Sequence, residues 1–471
     1  MTTTANPRSE IGVAPSDELT TRVRGEIVTA EHPDFDAARQ IYNAMVDRRP
    51  ALIVRCRDVA DIIAAVEHAR SHDLPLAVRG GGHSAAGYSM IDDALVIDLS
   101  AINHVVVEPD RSRVQVGGGA LWADVDHATS TFGMVVPSGV ISTTGVAGLT
   151  LGGGTGHLTR ALGLTCDSLL SVDLVTADGE LIRASETERP ELFWALRGGG
   201  GNFGVAVNFE FRLHPVGDVL GGPIFYDAGA ARELLEHYRD VLAAAPEPLG
   251  AFFGFSQAPP LPMIPTEHHE RPICFIAACW PGHADKGRDV LRPLLEHPAI
   301  IGDGLASMPM ADLNAATDAL APHGLRNYWK GHFIPDLTPE LIDVHATLGP
   351  TVPTPLSTVH LYPLGGAAGS IEPSQTAFNH RDAQFSTIIA SLWDDPAEDD
   401  AAIGWVRDYW DALQTCEPTG GYVNFLAGDE GDAGVRTSYR DNYDRLAAIK
   451  LAYDPHNVFC HNANIIPAGH H

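Results

Sequence analysis

Lysine is nearly absent from this chain. Of 31 basic residues only Lys286, Lys330 and Lys450 are lysines, and 60 acidic residues bring the formal net charge to −29. Nucleic acid and anionic membrane are excluded as partners, because both are bound through basic surface. Two origins give such a composition: a GC-rich genome with an acidic cytoplasmic proteome, or halophily. Cysteine is scarce too. Cys56, Cys166, Cys274, Cys279, Cys416 and Cys460 contain no Cys-x-x-Cys pair, so buried, reduced thiols are expected. No stretch approaches 18 apolar residues, which leaves no candidate transmembrane helix. Met1 to Asp17 is polar and mixed, without the basic start and apolar core of a secretory leader; a frayed start and a cytoplasmic location are expected. The 22 histidines form no His-Glu-x-x-His and no compact ligand set, so no metal site is expected. His268-His269-Glu270 lies in a proline-rich stretch and reads as solvated surface, and His470-His471 as a tag remnant. There is no internal repeat and no low-complexity tract.

What the chain does have is glycine, 47 residues of it, densest between residues 80 and 204. The apolar run Leu74-Pro-Leu-Ala-Val78 is followed by Arg79-Gly-Gly-Gly-His-Ser-Ala-Ala-Gly87. Next come Val116-Gly-Gly-Gly-Ala-Leu-Trp122, and Gly139-Val-Ile-Ser-Thr-Thr-Gly-Val-Ala-Gly148 running into Leu151-Gly-Gly-Gly154. Glycines let successive N–H groups turn toward one point. Three such loops, each after a strand-like run, suit a long cofactor with a diphosphate in its middle. Backbone N–H groups then replace basic side chains, which fits the shortage of lysine. On residues alone, phosphate, a metal, an acyl intermediate and a flavin all stay open as the occupant of the first loop.

Two decoys fall away. Gly199-Gly-Gly-Asn-Phe-Gly204 matches G-x-G-x-x-G, but a Rossmann loop follows a strand and opens a helix. Here the helix-like Pro190–Leu196 precedes it and a strand follows. Gly82-His-Ser-Ala-Ala86 resembles a hydrolase nucleophile elbow, which needs a following helix; Gly87 and the strand-like Ala94–Leu99 come instead. A serine hydrolase acting through Ser84 stays as a remote alternative.

With 471 residues, two domains are expected. Val59, Ile62, Ile63 and Val66 mark a helix over Asp58–Arg70. From there to Leu213 the chain reads as short strands and glycine-rich turns, with a hairpin turning at Asp178-Gly179 and an alternating strand over Val205–Leu213. After His214-Pro215 the texture changes. An amphipathic helix carrying Leu234, Leu235, Tyr238, Val241 and Leu242 alternates with strand-like Cys274–Cys279 and Thr358–Tyr362. The fold class is α+β. The expected boundaries are 1–214 for the N-terminal domain, 215–417 for the second, and 418–471 for the C-terminal segment, whose last helix over Tyr443–Ala452 stops at Asp454-Pro455.

Taken together, several motifs are highly specific: Val78-Arg-Gly-Gly-Gly-His-Ser84, Val96-Ile-Asp-Leu-Ser100, Gly152-Gly-Gly-Thr-Gly-His157, Leu192-Phe-Trp-Ala-Leu-Arg-Gly-Gly-Gly-Gly-Asn-Phe-Gly-Val205, Tyr422-Val-Asn-Phe425 and Asp454-Pro-His-Asn-Val-Phe459. Over nearly its whole length the chain resembles the FAD-linked oxidases of the vanillyl-alcohol oxidase superfamily, in the berberine-bridge-enzyme-like branch. The flavour is bacterial, similar to 6-hydroxynicotine oxidases and polyketide-tailoring flavoenzymes. The resemblance implies a two-domain PCMH-type FAD-binding fold. Its flavin domain is built from the N-terminal half and the extreme C-terminus, and an antiparallel-sheet substrate domain lies between.

The resemblance also implies FAD bonded through the ring of His83 to the flavin 8α-methyl. The cofactor positions it implies are Arg79, Gly80, Gly81, Gly82 and Ser84; Ser142, Thr143, Thr144, Gly145 and Gly148; Gly153, Gly154, Asn202, Val205 and Val207; and Asn424 and Asn462. Relatives often carry a second link from cysteine in a Gly-x-Cys-Pro-Thr run. Here Ile141 stands in that place, so His83 is the single expected tether and Cys166 is read as a core thiol. Thr144 matches a position where a small valine admits O₂ to the flavin and leucine excludes it. This favours an oxidase over a dehydrogenase and leaves an oxygenating outcome open.

Tyr422 matches the tyrosine that relatives use as base. A phenol titrates near 10, so it needs a nearby cation or donor; without one it only orients substrate. Phe425 replaces a second tyrosine of the motif, and Asn424 holds either the flavin or the tyrosine. On the substrate side, Thr358, His360 and Tyr362 share one face of a strand, and His380 lies in Phe378–Arg381 on a neighbouring run. Each of these reads equally well as core, with His360 or His380 a candidate second base. The expected function is oxidation of a C–OH or C–N group of a small molecule, with O₂ reduced to H₂O₂. A non-catalytic flavin-binding protein is the reading from another class. Neither the substrate nor the oligomeric state is encoded in a motif.

Overall fold

The structure, a computed structural model, describes residues 15–470. The fraying expected for the N-terminus falls mostly on residues 1–14, and the tag reading partly on residue 471, outside the described residues. Strands Leu52–Arg55, Leu95–Asp98 and Leu76–Arg79 run parallel, with Glu26–Val28 antiparallel on the outer edge. Leu52, Ile53 and Val54 are all fully buried, as befits a parallel sheet covered on both faces. Helix Val59–Ser71 packs Ile62, Ala65, Val66 and Ala69 onto it. Asp58 caps that helix, accepting from the N–H groups of Ala60 and Asp61, which fixes its start where the sequence placed it.

A five-stranded antiparallel sheet follows in the order Val105–Glu108, Arg113–Gly117, Val205–Arg212, Leu169–Val175 and Leu181–Ser185. The expected hairpin is present, and Gly179 turns it at φ +80°. The segment up to Leu213 is less purely strand and turn than its texture suggested: Trp122–Ser130 and Val146–Leu151 are helices. Both are short and flanked by glycine, so neither shows enough periodicity to be read from sequence. The C-terminal helix Tyr443–Tyr453 joins this region. Tyr443, Leu446 and Ile449 share one core with Leu192, Phe193, Phe209 and Phe211.

The central segment forms a larger antiparallel sheet, in the order Ile300–Asp303, Asp218–Asp227, Pro272–Pro281, Gly250–Gln257, Thr358–Pro363, Phe385–Trp393, Arg326–Ile334, with Ala306–Pro309 also paired to Asp218–Asp227. All nine residues of Phe385–Trp393 are buried, so this strand is covered on both sides. Phe385 and Ile389 pack with helices Ala231–Ala244, Pro339–Leu348 and Asp399–Cys416. Ile388, Ala390 and Leu392 face the other way, toward Tyr362, Phe252 and Phe425. That period-two alternation turns one sheet face to the helices and the other to the glycine loops. The architecture is the expected α+β class. Among the described residues no helix is long and apolar enough to cross a membrane.

Candidate active site

A cleft of about 340 Å³ lies where the glycine loops, the C-terminal segment and the central sheet meet. Among the described residues, no aspartate, glutamate, lysine or arginine lines its wall. Gly80, Gly81, Gly82, His83 and Ser84 form one side, and Thr144, Gly145 and Gly148 another. Asn202, Tyr422, Asn424 and Asn462 close it from the helix–strand junction and the C-terminal segment, and Tyr362 from the central sheet.

The glycines are there for space. A Cβ on Gly81 would stand 2.5 Å from the backbone of Gly145, so the two loops are in direct backbone contact. Gly148 and Gly201 differ: a Cβ on either meets nothing within 4 Å, and both line the cleft. Side chains there would project into the cavity. The cradle is thus backbone-lined, uncharged and rich in N–H groups, the donor set that a diphosphate and an isoalloxazine ring require. Asn462 adds a buried Oδ1 with no partner among the described residues. These features fit FAD.

His83 is held on three sides. Its Nε2 lies 3.1 Å from Thr143 Oγ1. Its ring stacks on Tyr42 at 4.4 Å and meets the edge of His323 at 5.0 Å. Burial, with a smaller contribution from His323, pulls its pKa down to about 3. The imidazole is therefore neutral, with a lone pair available for bonding to carbon. Tyr42 and His323 carried no sequence signal. They belong to the N-terminal segment and to a loop of the central segment, both without motif, and meet His83 only in three dimensions.

Tyr422 Oη receives two hydrogen bonds, from Gly154 N–H at 2.7 Å and from Asn424 Nδ2 at 2.8 Å. Asn424 also donates to the Leu149 carbonyl, and its amide fills the space a Cβ on Gly152 would need. Burial pushes the phenol well above its ordinary value, against those two donors. With both lone pairs occupied, neutral Tyr422 has only its own O–H left to offer. Those two donors are what a phenolate at Tyr422 needs for the base role, and burial acts against them; in the neutral form the hydroxyl orients substrate.

Other expected residues stand behind the cleft wall. Arg79 donates to the Ala38 carbonyl and lies 3.9 Å from Asp98. Ser142 turns away, its N–H and Oγ both donating to Asp318 at 2.9 and 2.6 Å, which pins the Ser142–Thr144 loop to the central segment. Gly153 and Gly154, at φ +124° and +87°, pack against Phe378 and Thr165. Val205 is buried in the sheet core, and the Val207 carbonyl accepts from Gly118 N–H.

His380 does not line the cleft, and Phe378–Arg381 is not a strand. His380 stacks on Phe333 at 3.8 Å and hydrogen-bonds the Ser438 carbonyl, so the structure gives it a packing place. His360 sits one layer behind Tyr362, with Nδ1 2.7 Å from Tyr362 Oη. Trp329 and Ile388 line the substrate side. Neither lies in a sequence motif; the strands Arg326–Ile334 and Phe385–Trp393 bring them to the cleft. Glu26, His32 and Asp34 bring three ligating atoms within 4.8 Å of one another, on partly exposed surface away from the cleft.

Comparison with known proteins places this geometry. Residues 50–185 match the FAD binding domain family and residues 421–466 the berberine and berberine-like family. The chain is 32% identical to the FAD-linked oxidoreductase YgaK of Bacillus subtilis over 458 residues, covering 95% of this chain and 98% of that one. It is 30% identical to (R)-6-hydroxynicotine oxidase of Paenarthrobacter nicotinovorans over 464 residues, again 95% and 98%. The crystal structure of 6-hydroxy-D-nicotine oxidase from Arthrobacter nicotinovorans superposes with a TM-score of 0.84 at 27% identity, over 94% of this chain and 98% of that one. BBE-like 1 of Physcomitrella patens shares the fold, with a TM-score of 0.86 at 22% identity over 96% and 99%. The protein is an FAD-dependent oxidoreductase with the PCMH-type fold, and the chain belongs to the berberine-bridge-enzyme-like branch of the FAD-linked oxidases.

Proposed function

We propose that this chain is a covalent-FAD oxidase, tethered through His83 alone, that oxidises a C–OH or C–N group of a small uncharged molecule and passes the electrons to O₂, giving H₂O₂. The observation that carries the reading is the state of His83. It is neutral, held from Nε2 by Thr143, and set in a glycine-lined cleft without a charged side chain. That leaves Nδ1 for the flavin methyl. Ile141 lines the same cleft and offers no second nucleophile. Residues 1–214 and 418–471 would hold the cofactor, and 215–417 the substrate. The bound flavin would supply the oxidant, accepting a hydrogen with its electron pair from substrate carbon.

Trp329, Tyr362, Ile388 and Phe425 offer aromatic and aliphatic surface, and among the described residues no Asp, Glu, Lys or Arg lines the cleft to pair with a charged substrate. An uncharged aromatic alcohol or amine suits it. Tyr422 would donate its O–H to the reacting heteroatom. Thr144, which lines the same cleft, is small enough to leave room for O₂. Six free thiols suit a cytoplasmic setting.

The test is anaerobic mixing of the yellow enzyme with a panel of aromatic alcohols and amines, sugars and carboxylates, followed by air. Bleaching by the aromatic set, then rapid return of colour with peroxide release, is expected. Reoxidation over minutes would make the enzyme a dehydrogenase. Bleaching by sugars or carboxylates alone would overturn the substrate class.

A further inference from the structure

A second cavity, of about 410 Å³, lies on the seam at the back of the Ser142–Thr144 loop. The helix Trp122–Ser130, the strand Met134–Val135 and the helix Met310–Ala315 enclose it. Ala123, Asp126, His127 and Ser130 follow one another at helical spacing, so one face of the first helix forms a wall. Ser142 lines the cavity as well, while its neighbours Ile141 and Thr144 line the cleft. Among the described residues no lysine or arginine lines the cavity.

Asp126 is the unusual member of this wall. It is only 5% exposed, and one of its two carboxyl oxygens is bonded: Oδ2 accepts from Asn314 Nδ2 at 2.8 Å. Asn314 shares that amide with Ser138 Oγ, at 2.9 Å. Among the described residues Oδ1 accepts no hydrogen bond and no cation pairs with the carboxylate. Burial works against the Asn314 bond and, with a smaller contribution from Asp318, pushes the carboxyl up to about 7. Asp318 gives no relief, because its own oxygens are taken by the Ser142 N–H and Oγ. At the rim Asp218, Asp312 and His127 are exposed. The floor of the cavity is thus a buried carboxylate with one oxygen and its charge uncompensated, a costly arrangement in a folded chain.

We propose that the seam cavity is a binding site for a small organic ammonium ion, which bonds the Asp126 carboxylate through N–H and lays its carbon body against Ala123, Met134, Val216 and Met310. The ammonium brings both things that Asp126 lacks, a donor for Oδ1 and a positive charge. Asp218 and Asp312 at the rim draw a cation in the same sense. The apolar wall favours an organic body over a hydrated ion. A metal ion does not suit the acidic groups of this cavity: among the described residues, three ligating groups come within 4.8 Å of one another only at Glu26, His32 and Asp34. Cleft and cavity stand on either side of one loop with opposite chemistry, the first without a charged wall residue and the second acidic. The site holds whatever molecule the cleft oxidises.

The experiment is calorimetric titration of the wild-type holoenzyme at pH 8 with tert-butylammonium, its neutral isostere tert-butanol and its anionic isostere pivalate. The carbon bearing nitrogen in tert-butylammonium has no hydrogen, so the probe is not a substrate for oxidation there. One site per chain is expected, with the ammonium bound at least roughly tenfold more tightly than the alcohol, the advantage of a hydrogen bond to a charged group. Pivalate is expected not to bind. Asp126→Asn keeps an acceptor for Asn314 and removes the charge; it is expected to weaken the ammonium by roughly 30-fold or more. Ala315→Phe fills the cavity from its rim and leaves Asp126 in place; it is expected to lose binding while melting near the wild-type temperature. No binding of the ammonium to wild type, equal binding of ammonium and alcohol, or binding retained in both variants overturns the site. The flavin absorption spectrum separates the two cavities: a shift on adding the ammonium that is equal in wild type and Asp126→Asn would seat the probe in the cleft, and that also overturns the assignment.

Discussion

Lys450 Nζ lies 2.6 Å from Asp454 Oδ2, and neither side chain is exposed at all. The pair is fully bonded. Lys450 also donates to the Asn202 and Phe459 carbonyls, and Asp454 accepts from Val458 and Phe459 N–H. A chain with three lysines spends one of them joining the C-terminal segment to the junction that carries Asn202. Removing one member leaves a buried charge alone. Lys450→Met is expected to cost about 3–5 kcal/mol and to loosen the cofactor site. Denaturant unfolding and flavin content check both, and a loss below about 1 kcal/mol would show that the pair is not buried as described.

Asp126 makes stability depend on pH. It accepts from Asn314 Nδ2 at 2.8 Å, and burial pushes its carboxyl up to about 7. The folded value lies above the unfolded one, near 3.9. The neutral form therefore favours folding, and stability falls as pH rises from about 4 through about 7. Asp126→Asn keeps an acceptor for Asn314 and carries no charge. It is expected to be more stable than wild type by a few kcal/mol at pH 8, with the gain shrinking toward pH 4. Thermal melts of both proteins across this range decide it; a gain independent of pH would contradict the account.

Gly148 separates cofactor space from fold. Its Cβ position is open, in a helix that requires no special backbone angle. Gly148→Val should fold with wild-type circular dichroism and bind little or no flavin. Full flavin occupancy would mean the cofactor lies elsewhere.

Thr144 is expected to set oxygen access. Thr144→Leu should leave anaerobic reduction near wild type and slow reoxidation by air, both read by stopped flow. Equal slowing of the two half-reactions would point to a displaced flavin instead.

The sequence was legible where one local pattern carries the information. Asp58 marked the start of its helix, Asp178-Gly179 its hairpin, and the Arg79–Gly87 loop its cleft. The helices Trp122–Ser130 and Val146–Leu151 were not, because glycine flanks hide so short a period. His360 and Tyr362 were placed together by strand alternation, and the structure adds that they share a hydrogen bond. Ser142 was expected at the cofactor, but Asp318, 176 residues away, turns it to the seam. Tyr42 and His323 hold His83 through contacts between distant segments, which no local pattern records.

The flavin is proposed to be tethered by His83 alone. The direct measurement is acid precipitation of flavin-loaded protein, followed by mass analysis of the pellet. The account predicts a yellow pellet with one FAD on the peptide containing His83, and a colourless pellet from His83→Ala. A colourless wild-type pellet, or a yellow one from His83→Ala, would contradict it.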